Sequence, residues 1–85
     1  NFEEAVAHFR VAVNHYPNNV ELKLNLLLAI MQCVNTLAVD TVTTAEMLDE
    51  AALLIASLES LPSAHKAYQR YQSLVSEMQQ LQDAA

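Results

Sequence analysis

Residues 20–37 read VELKLNLLLAIMQCVNTL. Drawn as a helix at about 100° per residue, this stretch gathers Glu21, Asn25, Gln32, Asn35 and Thr36 on one narrow strip. Leu22, Leu24, Leu26, Leu27, Leu28, Ile30, Met31, Cys33, Val34 and Leu37 cover nearly everything else. Lys23 stands alone on the apolar side, near the helix start. Exposing that much hydrocarbon costs roughly 25 cal/mol per Å², so the helix needs neighbours on more than one side. The remainder of the chain is read as what shelters it.

Upstream, Phe2, Ala5, Val6, Phe9, Ala12, Val13 and Tyr16 recur at spacings of three and four, an amphipathic helix over about 2–16. Asn1 is placed to cap it, with Glu3 and Glu4 in the first turn, where the helix dipole favours carboxylates. Pro17 ends it, and Asn18-Asn19 supplies turn and capping chemistry for the helix at 20–37. So short a connection predicts that the two helices lie antiparallel.

Downstream, AVDTVT forms a polar, β-branched loop around Asp40, and Thr43 with Glu46 has capping-box spacing. A third helix is expected over 44–60, burying Met47, Leu48, Ala51, Ala52, Leu54, Ile55, Leu58 and Leu61. Glu46, Asp49, Glu50, Ser57 and Ser60 make its wet face, and Leu53 falls among them. An apolar residue so placed is either one exposed leucine or a contact point for a partner. Leu61-Pro62-Ser63 closes this helix, and Ser63 is placed to cap a fourth over 64–82. Ala64, Ala67, Tyr68, Tyr71, Leu74, Val75, Met78 and Leu81 form one stripe along it, the pattern of a terminal helix that packs by a single face.

Composition agrees with an all-α fold of four antiparallel helices in a single domain spanning 1–85. The 85 residues are 53% apolar with no glycine and two prolines, enough for a core but without the usual devices for left-handed turns. A formal charge of −6 with four scattered basic residues opposes binding to nucleic acid or to an anionic membrane surface. Lys23, Asn25 and Gln32 interrupt the best candidate for a membrane span. The lone Cys33, inside the apolar helix, suits a reducing cytoplasm and reads as a small hydrophobe. A start at Asn1 without Met suggests a piece of a longer protein.

No catalytic constellation emerges. His8 and His15 share a helix face but stand about 10.5 Å apart along the axis, too far to chelate one metal. His65 belongs to another segment, and no Ser, Thr or Cys has a recognisable base and orienting group. Without glycine there is no phosphate-binding loop. The expectation is therefore a non-enzyme with no cofactor and no metal.

The first nineteen residues, NFEEAVAHFRVAVNHYPNN, resemble the second half of a tetratricopeptide repeat, with Ala5, Phe9, Ala12 and Pro17 at that family's spacing. In the same register Leu26 and Ile30 match the large apolar positions of the next first helix, with Leu27 where the family prefers Gly or Ala. Pro62 repeats the end marker, and Tyr68, Tyr71 and Val75 match a further first helix. Pro17 and Pro62 are 45 residues apart, about eleven more than one repeat of about 34. The third helix is also one residue out of the family register. The resemblance implies an αα-hairpin array: half a repeat, one stretched repeat and a C-terminal capping helix. LKLNLLLAIMQ together with LPSAHKAYQRYQSL also looks like the helical tail that follows a CheY-like receiver in some bacterial response regulators.

That resemblance implies a protein-interaction module of a bacterial signalling or regulatory protein, binding a peptide, a helix or a second copy of itself. A purely structural spacer that positions an attached domain is the alternative. The implied peptide groove consists of Glu21, Leu24, Asn25, Leu28 and Gln32 with Lys66, Gln69 and Arg70. Asn25, Lys66 and Arg70 fall where chaperone-binding members hold a peptide carboxylate, although the preceding helix that completes such a clamp is absent from this sequence. Val6, Phe9 and Val13, left without that preceding helix, together with Leu53, form the candidate face for a partner or a dimer.

Overall fold

The computed structural model describes residues 2–36 and 41–84. Among them lie four helices and no strand: α1 (Phe2–His15), α2 (Val20–Thr36), α3 (Thr41–Ser57) and α4 (Tyr68–Ala84). All three other helices rest on α2, most extensively α1. The shelter demanded by the 20–37 pattern is therefore supplied from three directions. Leu24, Leu27, Ile30 and Cys33 lose all solvent contact, and Leu26, Ala29 and Met31 are buried beside them. The other elements contribute Val6, Met47, Ala51, Leu54, Leu58, Ala67, Leu74 and Met78 to the same core. Glu21, Gln32, Asn35 and Thr36 stay exposed along the polar strip. The expected Asn1 cap, the end of the second helix at Leu37 and the loop around Asp40 lie outside the described residues.

Polar side chains fix some of the boundaries. Asn19 caps α2: its Oδ1 accepts the Leu22 N–H at 3.0 Å while its carbonyl accepts the Lys23 N–H at 3.2 Å. Tyr16, expected on the apolar stripe of the first helix, instead follows its end and is exposed. The Tyr16 N–H still donates to the Ala12 carbonyl at 2.9 Å, so only the side chain leaves the stripe.

The third and fourth helices begin and end elsewhere than expected. α3 starts at Thr41, ahead of Thr44, which places Thr43 and Glu46 inside the helix and removes the capping box from its start. The propensity cost of the β-branched residues is at most about 0.7 kcal/mol each, small against packing. α3 stops at Ser57 rather than 60, because the N–H groups of Leu58, Glu59 and Leu61 bond carbonyls three residues back instead of four. No described residue has a positive φ, so the helix winds down through tight turns and not through a left-handed cap.

α4 starts at Tyr68 rather than 64. The Pro62 carbonyl accepts the His65 N–H and the His65 carbonyl accepts the Tyr68 N–H, both at 3.0 Å. The His65 Nδ1 accepts the Ala67 N–H at 3.0 Å, within the turn that precedes the helix. Ala64 is left exposed outside the stripe, as is Ala52 on α3.

Candidate functional site

Where α1, α2 and α3 meet, the surface sinks into a hollow of about 390 Å³, within the range of small-ligand and side-chain pockets. Its apolar wall comes from Val13 of α1, Leu26 of α2, and Leu53 and Leu54 of α3. Leu26 and Leu54 are core residues, whereas Leu53 is 73% exposed. The rim carries Arg10 and Glu50 on one side and Lys23 and Ser57 among its other polar groups.

The two cations differ in what surrounds them. Arg10 forks onto Glu50, with Nη2 2.6 Å from Oε1 and Nε 2.9 Å from Oε2. That hydrogen bonding holds the guanidinium above its ordinary pKa, against the opposing effect of partial burial. Lys23 is half-buried, and its ammonium bonds no described residue. An unpaired cation beside an apolar wall suits a partner that brings a hydrocarbon side chain and a carboxylate together.

The structure brings four residues of the expected groove together in two pairs. Lys66 Nζ lies 3.3 Å from Glu21 Oε1, and Arg70 Nη2 donates to Asn25 Oδ1 at 2.6 Å. Leu24 is wholly buried and presents nothing to a peptide, while Gln69 is exposed. Leu28 and Gln32 line a second hollow, of about 330 Å³, with Met31, Glu77 and Leu81 between α2 and α4. Of the expected partner face, Val6 is core at 1% exposure and Phe9 is half-buried. Val13 and Leu53 both line the first hollow.

His8 and His15 are exposed, the His8 ring lying edge-on to Phe9 with centroids 5.4 Å apart. Among the described residues no three His, Cys, Asp or Glu side chains gather closely enough to hold a metal ion, and no helix is long and apolar enough to cross a membrane. Burial pushes the Cys33 thiol pKa up, and that of Tyr71, whose hydroxyl donates to the Ile55 carbonyl at 3.4 Å, likewise. No protein-family model, characterised protein or solved structure matches the chain.

Arg10, Glu50, Leu26, Leu54 and Ser57 carry no sequence signal that ties them to one another, because helical periodicity does not report which helices meet. Lys23 does carry one: a lone charge on an otherwise apolar helix side.

Proposed function

We propose that this chain is a non-enzymatic protein-interaction module that docks a partner in the hollow between α1, α2 and α3. One observation carries the reading: Leu53, 73% exposed, stands on the rim of a hollow whose wall is core Leu26 and Leu54 with half-buried Val13. A spacer that only positions its neighbours has no use for an uncovered leucine at an apolar depression beside an unpaired lysine. The expected groove residues Glu21, Asn25, Lys66 and Arg70 are engaged with one another, so a peptide carboxylate bound there would have to displace those contacts.

The finer architecture belongs to the same proposal: a tetratricopeptide-like array of antiparallel hairpins, with α4 as its cap, inside a cytoplasmic bacterial signalling or regulatory protein. The spacing of Ala5, Phe9, Ala12 and Pro17 and the short turn between α1 and α2 support it.

A photo-cross-linking amino acid at Asn14, an exposed residue of the hollow, tests docking, with the same group at exposed Gln79 of α4 as control. Illumination in the native cell should give a discrete protein adduct from position 14 and none from 79. No adduct at 14, or equal adducts at both, would overturn the docking site.

A further inference from the structure

Resting on that docking site, we infer that its occupant is a helix of another polypeptide carrying an acidic side chain between two large apolar ones, each one helical turn away. The acid meets Lys23, and the apolar pair enters the hollows on either side of it.

Charge singles out Lys23. The chain has ten acidic and four basic side chains, so a free carboxylate is to be expected and a free cation is not. Arg10 is held by Glu50, Lys66 by Glu21 and Arg70 by Asn25. Lys23, half-buried, bonds no described residue. It also stands in the first turn of α2, the end of a helix that favours an anion over a cation. A carboxylate brought by a partner supplies what both circumstances lack.

The surface flanking Lys23 sets what else the partner brings. Lys23 and Ser57 line both the first hollow and a neighbouring one of about 220 Å³, and so mark their junction. Apolar side chains follow on each side, Leu26 and Leu53 in the first hollow, Val20 and Leu61 in the second. The Ser57 hydroxyl donates to the Leu54 carbonyl at 2.7 Å, which leaves the Lys23 ammonium as the donor at the junction. The order along the surface is therefore apolar, cationic, apolar, and its complement is apolar, acidic, apolar.

Spacing gives the partner its conformation. Val20, Lys23 and Leu26 follow one another at intervals of three residues on α2, about 4.5 Å of rise each. Leu53 and Ser57 are four apart on α3, about 6 Å of rise. A partner helix laid along this furrow advances about 5.4 Å per turn, so side chains at i, i+4 and i+7 keep step with it. An extended segment returns a side chain to the same face only every 6.7 Å or so, longer than either interval.

Nuclear magnetic resonance titration of the full chain tests this with a defined probe. The probe is a capped alanine–glutamine helix of about sixteen residues, a length at which such a helix forms, with Leu, Glu and Leu at i, i+4 and i+7. Amide signals of Lys23, Leu26, Leu53 and Ser57 should shift, and those of α4 should not. Replacing the probe's Glu by Gln should weaken binding by about tenfold, the scale of one hydrogen bond to a charged group. Lys23→Met should erase the difference between the two probes, and Lys23→Arg should keep it, so a folded variant that still discriminates accompanies the one that does not. Equal binding of both probes to the parent, or a difference that persists in Lys23→Met, overturns the inference and leaves the docking site standing. No binding at millimolar probe overturns it as well, and the adduct from position 14 then decides whether the docking site survives.

Discussion

Arg10 of α1 grips Glu50 of α3 through two nitrogens, at 2.6 and 2.9 Å, and so ties together two helices that otherwise meet mainly through α2. The Arg10 side chain is nearly half exposed, so solvent screens the pair. A double-mutant cycle with Arg10→Ala and Glu50→Ala, read by urea unfolding, should give a coupling of about 0.5–1 kcal/mol, the upper part of the range for exposed pairs. Arg10→Lys should recover less than half of it, because an ammonium cannot fork. A coupling of zero would mean that the contact does not hold α1 to α3 in solution.

Leu27 and Leu53 differ in role despite their common chemistry. Leu27→Ala leaves a cavity in the packed core and should cost about 2–5 kcal/mol. Leu53→Ala removes an exposed side chain and, measured on the monomer, should stay within about 0.5 kcal/mol. Equal losses at the two positions would contradict the assignment of one to the core and the other to the surface.

The Cys33 thiol has its pKa raised by burial. The folded state therefore keeps its proton where the unfolded state releases it, so the unfolded chain binds fewer protons above the ordinary thiol pKa. Stability should be indifferent to this group below the ordinary thiol pKa of about 8.5 and fall as pH climbs from there toward the folded-state value. Comparing urea midpoints of the parent and Cys33→Ala across that window isolates the effect, with a steeper decline in the parent. Parallel slopes would show that the thiol is not held in its neutral form.

Asn19 closes the start of α2 through its side-chain acceptor, and the His65 acceptor holds the Ala67 N–H in the turn ahead of α4. Asn19→Ala should cost about 1 kcal/mol, and Asn19→Asp, which keeps an acceptor, only a few tenths. At His65, Asn should retain more stability than Ala for the same reason. Thermal unfolding of the four variants checks the ranking, and alanine as tolerable as the acceptor at either site contradicts the role of the side-chain acceptor there.

The helical pattern makes α2 legible because burial on several sides writes itself into one segment: polar positions confined to a strip at helical spacing. Boundaries are less legible. Ser63 and the Thr43–Glu46 pair are good caps by residue type, yet α4 starts later at Tyr68 and α3 earlier at Thr41, since caps compete with turns and packing that no short window contains. Glu50 matches a solvated face by periodicity and is the partner of Arg10, forty residues away. Of the hollow, Leu53 and Lys23 are visible as misfits on their own helices. Their meeting is not, because it depends on how three helices are placed around one.

Native-state hydrogen exchange across the whole chain tests the central claim, that α2 is the helix the others shelter. Amides of residues 27–33 should exchange only through global unfolding and should be the slowest in the protein, with α1 and α4 opening at lower free energy. Exchange at residues 27–33 as fast as in the exposed turns of α1 or α4 would contradict it.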